Sequence, residues 1–344
     1  MYHTIVIGAG QAGLAMGYYL KESNKNFIML DRCNKTGDVW RNRYDSLTLF
    51  TSRMYSSLPG LQLEGDGQGF PSKDEIASYL ESYAIKFGLP IEYNTEVLKV
   101  SQSNDVFSVD TNKGTLTAQN IIIATGPFQH KRIPDFARKI SKNVVQLHSS
   151  EYKNPSQLNS GNVLIVGGGN SGAQIAVELA AEKETFLAVS QKLRFLPLIL
   201  GNKSIFWWFD KFGVLKATNR SVIGKKIQGN GDPIFGYELK KAIEEGEVTL
   251  KERVINIENN HAFFKDNTKL QVDNIIWATG FIQNYPWLDI DDIYNYNGMV
   301  KHNRGLTVVK GLYLLGLPWQ YRRGSSLLQG VGEDAKYIMN HLNS

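Results

Sequence analysis

Cysteine is nearly absent from this sequence: Cys33 is the only one among 344 residues. A single cysteine excludes an intrachain disulfide and any Cys-x-x-Cys redox pair. Long charged runs are missing as well. Although 38 lysines and arginines outnumber 33 acidic residues, no five charges of one sign stand together. We therefore expect no nucleic-acid-binding surface, because a solvated surface of mixed charge explains this composition.

Long apolar runs are also missing. The most apolar region, residues 195–215, is interrupted by Lys203, Asp210, Lys211 and two glycines. A membrane-spanning helix needs about 18 or more apolar residues in succession, so we expect no transmembrane segment. The first strand-like run begins directly after Met1, without the charged and apolar leader of a signal peptide. We expect a cytoplasmic protein.

A glycine-rich turn near the amino terminus organises the chain. An apolar run at 5–7 leads into Gly8-Ala9-Gly10-Gln11-Ala12-Gly13 and a helical pattern. A second apolar run at 27–30 is followed directly by Asp31. Strand, Gly-x-Gly-x-x-Gly turn, helix, strand and acid together form the signature of a dinucleotide-binding unit.

Each feature of that signature has a physical reason. Gly8 permits the tight turn, Gly10 lets a pyrophosphate approach the backbone, and Gly13 lets helix and strand pack closely. The helix that follows directs free N–H groups and the positive end of its dipole at the phosphates. Asp31 is placed to accept hydrogen bonds from the ribose hydroxyls.

The same unit occurs a second time. An apolar run at 162–166 leads into Gly167-Gly168-Gly169-Asn170-Ser171-Gly172, followed by a helical pattern and a strand-like run at 185–189. Apolar runs at 121–123 and 275–277 each end in Ala-Thr-Gly. Both halves therefore repeat the same order of elements, which predicts two bound dinucleotides.

This duplication predicts an α/β protein with two Rossmann-like dinucleotide-binding domains, arranged as in the glutathione-reductase-like FAD/NAD(P)-binding fold. We expect an FAD-binding domain made of residues 1–127 and 281–344. The NADPH-binding domain with its linker, residues 128–280, is inserted into it. Residues 127–161 are expected to form this linker, the crossover into the second domain.

Other local patterns predict the elements around these units. Ser72 and the glutamate three residues later have the spacing of a capping box before a helix. Residues 91–118 indicate an antiparallel meander, and residues 46–50 a strand. A last helix is predicted from about residue 332 to 342. A helix start near Gln329 would direct N–H groups at an electron-rich flavin edge.

Counting positions from the first glycine of each turn indicates which cofactor each site binds. Asp31 lies 23 positions after Gly8, and the corresponding position after the second turn is Ser190. A carboxylate favours a ribose 2′-hydroxyl, whereas a hydroxyl followed by Lys192 and Arg194 favours a 2′-phosphate. We therefore assign FAD to the first site and NADPH to the second. The alternative is that the two cations are ordinary surface residues.

The residues expected to contact a cofactor come from both halves, and no metal site is predicted. In chain order they are Gly8, Gly10, Gln11, Ala12, Gly13, Asp31, Arg32, Trp40, Arg41, Leu47, Val97, Ala124, Thr125, Gly126, Gly167, Gly169, Asn170, Ser171, Gly172, Ser190, Lys192, Arg194, Thr279, Gly280 and Gln329. Within this set Arg41 offers a bidentate contact to phosphate. Trp40 is either a flavin contact or ordinary core.

Hydride transfer from NADPH to FAD leaves the final electron acceptor open. A thiol–disulfide centre is disfavoured, because Cys33 is alone and lies at the adenosine end of the first site. Oxygen is the other acceptor: reduced flavin and O2 form a C4a-hydroperoxide that transfers one oxygen atom and needs a dry pocket. The aromatic run at 206–209 either lines an entrance for an apolar substrate or belongs to the core.

Several of these segments together resemble the flavin-containing monooxygenase family, the class B flavoprotein monooxygenases. The two glycine-rich turns, Trp40-Arg41, the segment 148–152 (His-Ser-Ser-Glu-Tyr) and Ala278-Thr279-Gly280-Phe281 carry the resemblance. It is strongest to the short bacterial CzcO-type branch and extends to the plant auxin-forming monooxygenases. The resemblance implies bound FAD, NADPH as reductant and retention of NADP⁺.

The resemblance also implies two catalytic residues. A family signature between the two turns is matched by His148 and Tyr152, whereas Lys142 and Val144 replace its Phe and Gly. A flavin-contacting Thr-Asn pair of the family corresponds to Thr51 and Ser52 here. Ser52 and His148 are thus the expected catalytic residues. For His148 the alternative is a hydrogen-bonded structural role.

The leading hypothesis is an FAD-dependent, NADPH- and O2-using monooxygenase of a small, apolar substrate. The alternative enzyme is an NADPH-dependent flavin oxidoreductase or oxidase that passes electrons to a quinone, a metal ion or a protein. A third hypothesis is a non-enzymatic redox sensor or binding module that carries FAD. A homodimer is left open.

Overall fold

The computed structural model describes residues 1–342, which form two large β-sheets with parallel central strands and helices packed on them. In chain order the strands are β1 Tyr2–Ile7, β2 Phe27–Leu30, β3 Ile91–Glu92, β4 Val97–Ser103, β5 Val106–Thr111, β6 Gly114–Ile123, β7 His130–Lys131, β8 Val145–His148, β9 Val163–Val166, β10 Thr185–Ala188, β11 Phe195–Leu196, β12 Ile199–Leu200, β13 Lys203–Ser204, β14 Ile234–Phe235, β15 Val248–Lys251, β16 Val254–Glu258, β17 His261–Phe264, β18 Lys269–Gln271, β19 Asn274–Trp277, β20 Phe281–Ile282, β21 His302–Asn303, β22 Leu306–Thr307 and β23 Leu312–Leu314. The helices are α1 Gln11–Glu22, α2 Asp38–Arg41, α3 Lys73–Lys86, α4 Asn170–Ala180, α5 Ile205–Lys211, α6 Val222–Gly229, α7 Glu238–Glu244 and α8 Leu328–Leu342.

The first sheet has the strand order β21-β22-β23-β6-β1-β2-β3, and β5 and β4 continue the meander from β6. Its central strands are parallel and buried on both faces, which is why they appear in the sequence as unbroken apolar runs. Alternate side chains face opposite layers. Val6 packs with α1, α3 and α8, whereas Ile5 and Ile7 pack with the meander and with residues 285–300.

The second sheet has the order β15-β10-β9-β19-β8 and is parallel throughout. Here β9 lies between β10 and β19, just as β1 lies between β2 and β6. Helices α4 and α7 cover one face, and the antiparallel strands β16–β18 cover the other. The predicted fold class, two Rossmann-like α/β units, is confirmed.

The strands of the first sheet come from residues 2–123 and 302–314, and those of the second from residues 145–277. This distribution supports an inserted second domain. The predicted boundaries at 127 and 281 stay a prediction, and residues 343–344 at the end of the first domain lie outside the described residues. Within the described residues, no helix is both long and apolar enough to cross a membrane.

Three local predictions are wrong. Residues 46–50 form no strand: Leu49 N–H bonds to Pro71 O instead of a neighbouring ladder, and Thr48 makes only an isolated bridge. The predicted linker contains β8, the edge strand of the second sheet. Helix α8 begins at Leu328, so the predicted bound near residue 332 is wrong, whereas the predicted helix start near Gln329 is met within one residue. The glycines of this first turn allow close packing rather than ending the helix. The capping box at Ser72 and the meander are present.

The two passages of the chain between the sheets pair with each other. Strands β7 and β20 form an antiparallel ribbon in which Lys131 lies opposite Phe281. Arg132 N–H donates to Gly280 O at 3.0 Å. The guanidinium carbon of Arg43 lies 4.9 Å from the ring centre of Phe128 and 5.3 Å from that of Phe281. This ribbon connects the two domains.

Candidate active site

The first glycine-rich turn has the geometry of a phosphate-binding turn. Gly8 adopts φ +99°, and a Cβ built on Gly13 would lie 1.9 Å from Gly8 O. A Cβ on Gly10 would meet no atom within 4 Å, so the backbone there is open to a ligand. No side chain caps the N-terminus of α1, and its first turn holds no acidic residue. These features fit a pyrophosphate.

The second turn repeats this geometry at every position. Gly167 adopts φ +119°, a Cβ on Gly172 would lie 2.0 Å from Gly167 O, and a Cβ on Gly169 would meet nothing within 4 Å. Helix α4 likewise begins without a side-chain cap or an acidic first turn. The second turn therefore fits the pyrophosphate of a second dinucleotide.

The Ala-Thr-Gly segments lie directly against the two turns. Ala124 N–H donates to Ile7 O, and a Cβ on Gly8 would lie 2.7 Å from Ala124 O. In the second domain Ala278 O would lie 2.3 Å from a Cβ on Gly167. The structure thus brings Thr125 and Gly126, and likewise Thr279 and Gly280, to the mouths of the turns.

An amide side chain ties each turn to a distant loop, a feature that the sequence does not indicate. Gln11 Nε2 donates to Ser326 O at 2.6 Å. Asn170 Nδ2 donates to Pro233 O at 3.0 Å, and its Oδ1 accepts from Phe235 N–H at 3.0 Å. Because these amides bind the protein, the backbone N–H groups are what remains to hold phosphate.

Asp31 closes the first turn from the end of β2. Its Oδ2 accepts from Ala9 N–H at 2.6 Å and its Oδ1 from Cys33 N–H at 2.8 Å. The carboxylate is therefore fixed beside the turn, with lone pairs left to accept from ribose hydroxyls. This position fits the predicted contact with the adenosine half of FAD.

Strand register corrects the counting of positions. In the first sheet the last residues of β1 and β2 pair, and Asp31 follows. In the second sheet the last residues of β9 and β10 pair, and Val189 follows. The equivalent of Asp31 is therefore Val189, and the assignment of Ser190 to that position is wrong by one residue. The reason is a shorter helical connection, since α4 has 11 residues and α1 has 12.

The correction leaves the charge argument intact, because neither Val189 nor Ser190 carries a carboxylate. A Cβ on Gly168 would meet Val189 at 2.8 Å, so this segment lies against the second turn. Lys192 and Arg194 are exposed beside it, and Arg194 Nη2 donates to Gly231 O at 2.6 Å. An exposed pair of cations without a carboxylate suits a ribose 2′-phosphate.

The structure favours structural roles for two predicted flavin contacts. Arg41 Nη1 donates to Thr36 O at 2.8 Å and to Asp38 Oδ1 at 3.2 Å, while Nη2 pairs with Glu81. Three of its five N–H donors are thus held by protein acceptors. Trp40 packs on the apolar core of the first domain.

The remaining predicted contacts in the first half lie at the edges of packed elements. Leu47 packs against the cores of both domains. Val97 starts β4 and packs against the meander core, and Arg32 is exposed next to Asp31. Contacts of these three side chains with FAD stay predictions.

His148 is fully buried at the end of β8. Its Nε2 lies 3.0 Å from Gly280 O and its Nδ1 lies 2.8 Å from Ser150 Oγ. Because Ser150 N–H also donates to Nδ1, Nε2 carries the proton. Burial lowers the pKa of His148, so the ring is neutral. Both ring nitrogens are engaged, which favours the structural alternative over proton transfer to a substrate.

The buried imidazole leads to a prediction about pH. The unfolded chain takes up a proton at His148 near pH 6.5, whereas the folded protein resists it until lower pH. We therefore expect the free energy of unfolding to fall as pH drops below 6.5, by at most about 1.4 kcal/mol per pH unit from this group. In His148→Asn the fall should be shallower. Urea unfolding from pH 7.5 to 5 measures it, and parallel curves for the two proteins would contradict this.

Ser52, the other predicted catalytic residue, forms a hydrogen bond between the first and second domains. It is fully buried, and its hydroxyl donates to Ser204 Oγ at 3.1 Å. Ser204 in turn caps α5 by accepting from Trp207 N–H. A contact of Ser52 with the flavin stays a prediction.

An aromatic cluster lies between the two turns. Phe50 stacks on Phe235 with ring centres 4.7 Å apart, and Phe206 contacts both. Arg323 lies over all three rings at 5.2–5.9 Å and donates to Asp232 Oδ1 at 2.9 Å. The loops tied to Gln11 and Asn170 supply Arg323 and Phe235, so the cluster joins both turns. The sequence indicates only Phe206.

Comparisons with known proteins agree with this geometry. The family model described as "Pyridine nucleotide-disulphide oxidoreductase" matches residues 5–194, and "Flavin-binding monooxygenase-like" matches residues 193–304. The uncharacterized oxidoreductase CzcO of Bacillus subtilis is 55% identical over 100% of this chain and 99% of its own. The chain belongs to the flavin-binding monooxygenase-like family.

Solved structures place the family fold over the whole chain. A flavin-containing monooxygenase from Stenotrophomonas maltophilia superposes with a TM-score of 0.85 at 26% identity, covering 99% of this chain and 98% of that one. The structure of OTEMO in complex with FAD and NADP superposes with a TM-score of 0.73 at 15% identity over 99% and 85%. The latter likeness shows the fold alone.

Membership of the flavin-binding monooxygenase-like family confirms the prediction of a flavoprotein oxidoreductase with FAD and NADPH as cofactors. The two turns fit them, since each presents an uncapped helix and an open glycine. Burial raises the pKa of Cys33 to about 12, and the neighbouring Asp31 carboxylate adds to this. A thiol that stays protonated at neutral pH does not serve as a redox nucleophile.

Proposed function

We propose that this protein is an NADPH-dependent monooxygenase that transfers one atom of O2 to a small, apolar substrate. The observation that carries the proposal is the pair of equivalent phosphate-binding turns whose attached loops meet at one apolar aromatic cluster. That arrangement would bring two bound dinucleotides to a common, water-poor junction. The absence of a second cysteine leaves O2, rather than a disulfide, as the acceptor that the chain best supports.

The chain's own residues bind and orient the two cofactors. Gly8, Gly10 and Gly13 would hold the FAD pyrophosphate and Asp31 its ribose. The second turn would hold NADPH, with Lys192 and Arg194 at the 2′-phosphate. When bound, the two cofactors would supply hydride transfer from NADPH to FAD and electron transfer onward to O2. The protein supplies the distance between the two rings and excludes water.

The aromatic cluster supports an apolar substrate. Phe206 is fully buried and Phe50 and Phe235 pack against it, so this junction offers mainly dispersion contacts. Arg323 is the cation that faces the rings, and Asp232 balances its charge. A neutral molecule with few polar atoms suits these surroundings. We further propose that the enzyme works in the cytoplasm and binds no nucleic acid.

The test is turnover in isotopically labelled O2 with a panel of small sulfides, amines and ketones. We expect a product that gains one labelled oxygen atom for each NADPH consumed. Gly10→Ala, which should weaken FAD binding, serves as the inactive control. If every NADPH consumed appears as hydrogen peroxide or as a reduced quinone, the protein is an oxidase or reductase instead.

A further inference from the structure

The second domain exposes apolar side chains on one surface beside its short hairpin. Ile199 and Leu200 on β12 are 53% and 51% exposed, and Phe212 at the end of α5 is 74% exposed. Apolar groups gathered in this way mark an interaction site more often than a bare solvated surface. The hairpin–α5 surface comprises Ile199, Leu200, Lys203, Trp207, Trp208, Lys211 and Phe212.

Direct contacts join these residues into one surface. Trp208 Nε1 donates to Leu200 O at 3.0 Å, and the Trp208 ring stacks on Phe212 with centres 6.0 Å apart. The ammonium groups of Lys203 and Lys211 lie 5.9 and 5.4 Å from the ring centre of Trp207. Tryptophan rings flanked by lysines therefore border the exposed aliphatic tip.

The other side of α5 is held by the protein interior. Phe206 is fully buried in the aromatic cluster, and Ser204 at the helix start binds the first domain through Ser52. The inner side of α5 is therefore fixed by packing and hydrogen bonding, and its outer side faces solvent.

The segment 199–226 is more basic than the rest of the chain. Between residues 199 and 226 the charged side chains are Lys203, Asp210, Lys211, Lys216, Arg220, Lys225 and Lys226. The single acid among them, Asp210, accepts a hydrogen bond from Tyr55 at 3.2 Å. The segment 199–226 thus has an excess of five positive charges, and Lys203 and Lys211 are the two of its cations that lie on the hairpin–α5 surface.

We propose that the hairpin–α5 surface docks on an anionic lipid bilayer. Aliphatic side chains enter the boundary of the acyl region, tryptophans lie at headgroup depth, and lysines contact lipid phosphates. A symmetric contact with a second copy would bring two lysine-containing surfaces of the same charge together, which disfavours a dimer through this surface. This proposal goes beyond the proposed reaction and does not depend on it.

The experiment is sedimentation of the full-length, FAD-loaded protein with lipid vesicles. We expect binding to vesicles of mixed phosphatidylcholine and phosphatidylglycerol, little binding to phosphatidylcholine alone, and loss of binding at high salt. Lys203→Gln combined with Lys211→Gln should weaken binding about thirtyfold, since each lysine contributes about 1 kcal/mol. Phe212→Ser should weaken it about tenfold.

Matched variants on the first domain control for charge and apolarity. Lys310→Gln with Lys336→Gln removes the same charge, and Val308→Ser removes an apolar side chain that is 69% exposed. All variants should keep wild-type flavin absorbance and NADPH oxidation. Equal losses for control and test variants, equal binding to both kinds of vesicle, or no binding would overturn the proposal. Self-association that Phe212→Ser abolishes would assign the surface to a second copy.

Discussion

Gly172→Ala should destabilise the second domain, whereas Gly169→Ala should leave it folded and impair only NADPH binding. A Cβ at position 172 would lie 2.0 Å from Gly167 O, a distance that forces helix and turn apart. We expect a loss of about 3 kcal/mol and a melting temperature lower by about 6 °C or more. Circular dichroism melting curves measure this.

Gly169 has the opposite surroundings. Its φ of −80° suits alanine, and no atom lies within 4 Å of the added Cβ. The methyl group would instead keep a pyrophosphate from the backbone and weaken its hydrogen bonds. The Michaelis constant for NADPH should rise about ten- to a hundredfold, while melting temperature and FAD content stay unchanged. Equal thermal losses for the two variants would show that the turn is not built to approach a ligand.

Lys192→Ala combined with Arg194→Ala should raise the Michaelis constant for NADPH about a hundredfold. Each cation is expected to contribute about 1.4 kcal/mol through a charge-assisted contact with the 2′-phosphate. NADH has no 2′-phosphate, so its Michaelis constant should change little. Steady-state kinetics with both nucleotides separate the two effects. Equal increases for NADH and NADPH would show that the 2′-phosphate lies elsewhere.

Strand register allows this assignment to be refined. Val189→Asp in the double variant reproduces the position of Asp31 and should lower the Michaelis constant for NADH, because a carboxylate accepts from the 2′-hydroxyl. Ser190→Asp is the matched control, since it places the same charge one residue further along. If Ser190→Asp improves NADH use and Val189→Asp does not, positional counting describes the site better than register does.

Much of the fold follows from local sequence. Each turn, its helix and its two strands are contiguous, and the close approaches of Gly13 to Gly8 and of Gly172 to Gly167 join residues that are near each other in the chain. The capping box at Ser72 is equally local. These features could be predicted because the pattern and the physical cause lie in the same short segment.

The errors arise where partners are distant in the chain. The edge strand β8 is four residues long and is stabilised by β19, more than a hundred residues later. The register that makes Val189 equivalent to Asp31 depends on strand pairing, which counting does not detect. The aromatic cluster joins Phe50 and Phe235 through loops that only the folded structure brings together. No local pattern encodes such contacts.

The paired ribbon of β7 and β20 has a consequence for modularity. Lys131 and Phe281 lie opposite each other, and residues opposite in an antiparallel pair are only about 5 Å apart. A two-residue turn is enough to join strands at that separation. Excision of the segment between Lys131 and Phe281 would therefore leave every strand of the first sheet in place. The first and last residues of the excised segment would lie close together.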